Sequence, residues 1–160
     1  MNDKALYELA VKIGKKLKEK KQRLVAAESC TGGWIAKCCT DVPGSSEWFD
    51  RGFVTYSNQA KQEMFGVSEA LLVDKGAVSE AVVKAMADGA IAQSNAHWAV
   101  SVSGIAGPGG GSDEKPVGTV WVAWKGPGKA YEEKLIFDGD REAVRRQTVA
   151  HVLTELSNLL

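Results

Sequence analysis

Ala27-Glu28-Ser29-Cys30-Thr31-Gly32-Gly33 places a small hydroxyl residue at the end of an apolar run and follows it with two glycines. The preceding Leu24-Val25-Ala26-Ala27 reads as a buried strand and Trp34-Ile35-Ala36-Lys37 as a helix, so Ser29 falls in a strand-to-helix turn. Backbone N–H groups at a helix start have no partner inside the helix and point at whatever such a turn holds, an oxyanion or a phosphate. Two readings are open. Ser29 is a nucleophile or anion ligand, or else Ser29 or Thr31 is an N-cap. Taken alone, these residues favour the cap.

On either side of the turn, apolar spacing predicts an amphipathic helix over 4–21, a strand over 24–28 and a helix over 31–40. Pro43-Gly44-Ser45-Ser46 breaks the pattern, and within Phe49 to Tyr56 the β-branched and aromatic run Phe53-Val54-Thr55-Tyr56 reads as a second strand. Asn58 is the expected cap of a short helix through Lys61 to Phe65, 68–72 reads as a further helical turn, and Ser79 caps a helix from Glu80 to Gln93. His97 to Val102 is the third strand. Five glycines between Gly104 and Gly111 lead past Pro116 into a hairpin, 117–124 and 131–137, turned at Lys125-Gly126-Pro127-Gly128-Lys129. Asp140 caps a last helix from Arg141 to Leu160.

This order predicts an α/β fold: three layers, α/β/α, around a mostly parallel mixed sheet, closed by a C-terminal β-hairpin and helix. In open α/β sheets ligands gather at the carboxyl ends of the parallel strands. Ser29, the Tyr56-Ser57-Asn58 segment with Lys61, and Ser103-Gly104 all follow strands and so meet at one edge. If the second hairpin strand returns parallel to the others, 138–146 arrives there too. That convergence lifts the functional reading of Ser29 above the cap.

The 160 residues, 44% of them hydrophobic, suit one domain spanning 1–160. Basic and acidic residues balance at 20 each, which gives no electrostatic case for nucleic acid or an anionic membrane as partner. The basic run from Lys12 to Arg23 is the solvated face of the first helix. Cys30, Cys38 and Cys39 form no C-x-x-C pair, and with only His97 and His151 beside them no zinc spacing exists, so no metal is expected. No apolar stretch approaches the about 20 residues of a membrane helix. A cytoplasmic protein with reduced thiols is expected, assembled as a homodimer or higher homo-oligomer.

A nucleophilic serine needs a base. His97 opens a strand at the end away from the convergent edge, and His151 lies two turns or more into the last helix, which disfavours a Ser-His-Asp triad. Lysine serves when its pKa is lowered. Lys61 is the candidate, with Tyr56 able to orient it through a hydrogen bond; the alternative is a solvated helix lysine. Ser112-Asp113-Glu114-Lys115 matches S-x-x-K but lies in a glycine loop instead of on a helix face. That loop lacks the Gly-Lys-Ser/Thr of a phosphate loop, though its amides can line an anion nest. Arg145 and Arg146 sit early in the last helix, opposed to its dipole, where a substrate phosphate or a nearby aspartate would account for them. Trp121 and Trp124 on one strand read as core or subunit interface.

Three segments, the 27–33 turn, Gly52-Phe53-Val54-Thr55-Tyr56-Ser57-Asn58 with Lys61, and Ser103-Gly104-Ile105-Ala106-Gly107-Pro108 running into Lys115-Pro116-Val117-Gly118-Thr119-Val120, together resemble the CinA C-terminal domain family in its stand-alone form. The likeness spans nearly the whole chain. It implies hydrolysis of the carboxamide of nicotinamide mononucleotide to nicotinate mononucleotide and ammonia, in pyridine nucleotide recycling. It also implies a Ser-Lys mechanism that falls on Ser29 as nucleophile and Lys61 as base, with Tyr56 in support. Thr31, Gly32, Gly33, Asn58, Ser103, Gly104 and Arg145 are the expected substrate contacts, Arg145 first for the phosphate, Arg146 second and the Gly109 to Ser112 amides third. No metal or organic cofactor is required. The competing class is a non-catalytic nucleotide-binding module in which Ser29 only donates a hydrogen bond.

Overall fold

The computed structural model describes all of residues 1–160. The chain runs α1 (Asp3–Lys20), β1 (Leu24–Glu28), α2 (Trp34–Thr40), β2 (Phe49–Val54), α3 (Asn58–Phe65), α4 (Glu69–Lys75), α5 (Glu80–Ala92), β3 (Trp98–Gly104), β4 (Thr119–Gly126), β5 (Lys129–Ile136) and α6 (Arg141–Leu159), with a short 3₁₀ turn at Ser45–Glu47. The five strands form one sheet in the order β2-β1-β3-β4-β5. β1 pairs in parallel with β2 and β3, while β3 with β4 and β4 with β5 are antiparallel. Four strands therefore share one direction, although only two of the four ladders are parallel.

Strand periodicity explains the layering. Leu24, Ala26, Val100, Val102, Val122 and Trp124 face one way and join a core of 22 buried residues with Leu6, Ile13, Leu17, Val149 and Leu153 from α1 and α6. The alternate residues Val25, Ala27, Ala99 and Ala123 face the other way and join 12 buried residues, among them Val82, Val83 and Met86 of α5 and Phe65 of α3. Each fully buried Val, Leu or Met is worth roughly 1.5–3 kcal/mol. The small side chains on this second face let α5 lie close to the sheet. α3 lies as close to α5, because a Cβ at Gly89 would stand 2.6 Å from Cβ of Phe65. That contact fixes the helix that carries Lys61.

Element boundaries follow the expected ones within a few residues, with two differences in capping. Ser57, not Asn58, caps α3, its Oγ accepting from the Ala60 N–H at 3.0 Å. Neither Ser29 nor Thr31 caps α2, whose N-cap is Gly33. The chain can turn there because Gly32 and Gly33 hold φ of +60° and +100°, a region costly for residues with a Cβ. No helix is long and apolar enough to cross a membrane.

Candidate active site

β1, β2 and β3 end at Glu28, Val54 and Gly104 on the same side of the sheet, and β5, running with β3, delivers the start of α6 to it. A cavity of about 240 Å³ opens there, lined by Ser29, Tyr56, Asn58, Lys61, Ser103 and Arg141 among others. His97 lies at the opposite end, where its Nδ1 accepts from the Arg23 N–H, and His151 pairs with Glu133.

Lys61 is the unusual group. It is 1% exposed, and its Nζ lies 3.0 Å from Ser29 Oγ, 2.9 Å from the Thr55 carbonyl oxygen and 3.3 Å from that of Tyr56. All three partners are neutral. Burial without a counter-charge disfavours the ammonium and lowers the pKa of Lys61 from its ordinary value of 10.5. Tyr56 reaches Lys61 through its main-chain carbonyl and not through its side chain. The residue is 59% exposed, and its phenol oxygen accepts from the Arg141 guanidinium at 2.8 Å, while Arg141 also donates to the Gly107 carbonyl at 2.8 Å.

The Ser29 turn is tied down through its backbone. The Ser29 N–H donates to Val102 O at 3.1 Å and the Gly32 N–H to Ser29 O at 3.0 Å. Because a trans peptide opposes its C=O and N–H, the Cys30 N–H faces away from Gly32. Glu28, fully buried, accepts from the Thr31 hydroxyl and from the Ile35 and Ala36 amides of α2.

The expected site residues divide between two depressions. Ser29, Tyr56, Asn58, Lys61, Ser103 and Gly104 come together in the cavity. Thr31, Gly32, Gly33 and Arg145 instead line a shallower depression of about 400 Å³ with Trp34 and Arg146. There Arg145 donates to the carbonyls of Cys30 and Thr31 at 3.0 and 3.1 Å, and both arginines lie over the Trp34 ring. Arg146 is held by Asp3 and Glu142. The Ser112-x-x-Lys115 rival is a turn: Ser112 Oγ accepts from the Lys115 N–H, and Lys115 Nζ donates to the Lys75 carbonyl.

Two residues escaped the sequence reading. Arg141, the arginine inside the cavity, is the first residue of α6 and meets the same objection from the helix dipole as Arg145, which was the available signal. Glu28 was marked by a charge closing an otherwise apolar strand, since a carboxylate there must find donors. No three His, Cys, Asp or Glu side chains cluster as a metal site would require.

The profile of the CinA C-terminal domain matches residues 6–160. The chain belongs to that family. The nicotinamide-nucleotide amidohydrolase PncC of Escherichia coli K12 is 54% identical over 157 residues, which cover 98% of this CinA domain and 95% of that protein. The protein of the same name from Enterobacter agglomerans is 58% identical over 154 residues, 96% of this chain and 94% of its own. Among solved structures, the competence/damage-inducible protein CihA from Agrobacterium tumefaciens superposes with a TM-score of 0.94 at 43% identity, over 99% of this chain and 96% of that one. The five-stranded mixed sheet is thus the fold of this CinA domain's structural relatives.

Proposed function

We propose that this protein hydrolyses the carboxamide of nicotinamide mononucleotide to nicotinate mononucleotide and ammonia, with Ser29 as nucleophile and Lys61 as general base. The observation that carries the mechanism is the buried 3.0 Å contact between Lys61 Nζ and Ser29 Oγ. The substrate is supported by the two amidohydrolases similar to this chain over nearly their whole length. A neutral amine has two N–H donors and one lone pair. Thr55 O and Tyr56 O take the donors, which leaves the lone pair for the Ser29 hydroxyl.

In the first step Ser29 Oγ bonds to the amide carbon and its proton passes to Lys61. The oxyanion is received by the Cys30 N–H, a donor worth roughly 3–4 kcal/mol in the transition state. Lys61 then gives its proton to the amide nitrogen, the C–N bond breaks, and ammonia leaves a Ser29 ester. Water attacks the ester with Lys61 again taking the proton; the bond from the acyl carbon to Oγ then breaks, Lys61 returns the proton to Ser29 Oγ, and the acid departs.

Ala77 and Val78, with Ala106, form the apolar part of the lining and suit the face of a pyridine ring. Asn58, Ser103 and Gly104 supply polar contacts. Both arginines already donate to two oxygens; for the phosphate, what supports Arg141 is its place in the cavity lining with Ser29 and Lys61, whereas Arg145 lines the neighbouring depression. In this reading Thr31, Gly32 and Gly33 shape the turn and do not touch substrate. The enzyme works in pyridine nucleotide recycling in the cytoplasm, as a homodimer or larger homo-oligomer, without metal or organic cofactor.

The test is incubation of the purified protein with nicotinamide mononucleotide. Equal amounts of ammonia and nicotinate mononucleotide are expected, and none from Ser29→Ala. Saturable binding without turnover would select a nucleotide-binding module instead.

A further inference from the structure

Glu28 sits one residue before Ser29, fully buried, and its carboxylate meets no cation. Oε1 accepts from the Thr31 hydroxyl at 2.6 Å and the Ile35 N–H at 2.9 Å, and Oε2 accepts from the Ala36 N–H at 3.0 Å. A buried anion held only by neutral donors is costly in a core that could close over an apolar side chain, unless its hydrogen bonds set a geometry the molecule uses. Here they span the reactive turn. One end of the Ser29–Gly33 segment is β1 itself, and the carboxylate fixes the other by gripping Thr31 and the first turn of α2.

The main chain of the same residue reaches the second reactive group. The Glu28 carbonyl accepts from the Thr55 N–H at 2.9 Å, and the Thr55 carbonyl accepts from Lys61 Nζ at 2.9 Å. Lys61 in turn contacts Ser29 Oγ at 3.0 Å. A closed circuit of short bonds therefore runs from Glu28 through Thr55 and Lys61 to Ser29 and back along the chain to Glu28, with the Thr31 contact bracing the turn beside it.

We propose that Glu28 is a positioning residue for the acyl transfer, its carboxylate holding Thr31 and α2 so that Ser29 Oγ stays in register with Lys61 and with the Cys30 amide. The inference rests on Ser29 being the nucleophile and Lys61 the base. Its charge distribution makes it specific. Glutamine has the same shape but one acceptor oxygen, so in Glu28→Gln the amide NH₂ must confront either the Ala36 N–H or the Ile35 N–H, two donors facing each other. Misplacement by about 1 Å at a reacting group can lower a rate by about 100-fold while substrate binding persists.

The experiment compares Glu28→Gln, Thr31→Val and Thr31→Ser with the native chain, each checked for folding by thermal unfolding. Two rates are read: ammonia release from nicotinamide mononucleotide, resolved into kcat and KM, and covalent labelling by a small fluorophosphonate, which Ser29 Oγ attacks at phosphorus with loss of fluoride. Glu28→Gln and Thr31→Val should lose about 10–100-fold in both kcat and labelling rate with KM changed by less than about threefold, and Thr31→Ser should recover most of the loss. Loss of stability alone would lower the folded fraction and leave the rate per labelled site unchanged. Folded Glu28→Gln and Thr31→Val proteins with native kcat and labelling overturn the proposal, as does equal loss in Thr31→Ser and Thr31→Val. Should Glu28→Gln not fold, the two Thr31 variants decide. If the native protein is not labelled at Ser29, the nucleophile assignment itself falls and this inference with it.

Discussion

Two depressions flank the Ser29–Gly33 turn, and they hold their cations in opposite ways. On one side Lys61 is buried among neutral oxygens and its ammonium form is disfavoured. On the other, Arg146 is paired with Asp3 and Glu142, Lys37 with Asp41, and Arg145 braces two carbonyls over the Trp34 ring. Wet, paired charges contribute little beyond local order. A dry, unpaired amine gives up its proton at a lower pH than a solvated one. Adjacent residues of one motif thus face two depressions, Ser29 and Cys30 the cavity with Lys61, and Thr31 to Gly33 the one with Arg145.

The sharpest test of that division is to remove the nucleophile. Ser29→Ala should lower amide hydrolysis by more than about 10⁴-fold with circular dichroism unchanged, because no core volume is lost. Lys61→Arg keeps a positive charge but cannot deprotonate, so it should be as inactive as Lys61→Ala. Native-like turnover in Lys61→Arg would remove the base assignment. A profile of kcat/KM against pH checks the same point in the intact enzyme. Since burial lowers the folded pKa of Lys61 below 10.5, the neutral base fraction rises with pH and activity should climb to a plateau before that value. In the window between the folded pKa and 10.5 the unfolded chain binds the extra proton, so this group's contribution to stability also rises with pH.

The arginines test the comparison directly. Arg141→Ala should weaken the mononucleotide reaction by about 10–100-fold and narrow its advantage over the phosphate-free riboside, the range for a charge-assisted hydrogen bond. Arg145→Ala should lower both substrates by one common factor, because it acts on the turn and not on the phosphate. The opposite pattern in paired kinetic measurements would exchange the two roles and return the phosphate to Arg145.

Much of this arrangement is legible in the sequence because it depends on backbone placement. Apolar runs read as ending at Glu28, Tyr56 and Val102, within two residues of the strand ends, bring Ser29, Asn58 with Lys61, and Ser103 to one edge whatever the rotamers. What stays hidden depends on which way a side chain leaves the backbone. Arg141 and Arg145 lie one helical turn apart, yet one enters the cavity and the other passes behind the turn. Tyr56 shows the same limit, since the phenol that invites a mechanistic role faces Arg141 while its carbonyl meets Lys61. The cap of α3 moved from Asn58 to Ser57 because either short polar side chain satisfies the pattern and only geometry selects.

The smallest expected effect concerns Cys30, which lines the same cavity as Ser29 and Lys61. Burial pushes its thiol up to about 12, that of Cys38 to about 11, and that of Cys39 well above its ordinary value. The same desolvation that prepares the lysine therefore silences the cysteine, because the neutral amine is the reactive form of one and the charged thiolate the reactive form of the other. At pH 8 the thiolate fraction of Cys30 is on the order of 1 in 10⁴. Iodoacetamide at that pH should leave both activity and intact mass unchanged, and all three thiols should react once guanidinium unfolds the chain. Cys30→Ala should cost less than about tenfold in kcat, through packing near Gly104 alone. Alkylation of folded protein at Cys30 that tracks loss of activity, absent from the Cys30→Ala variant, would show a reactive thiol in the cavity and end the contrast between the two buried groups.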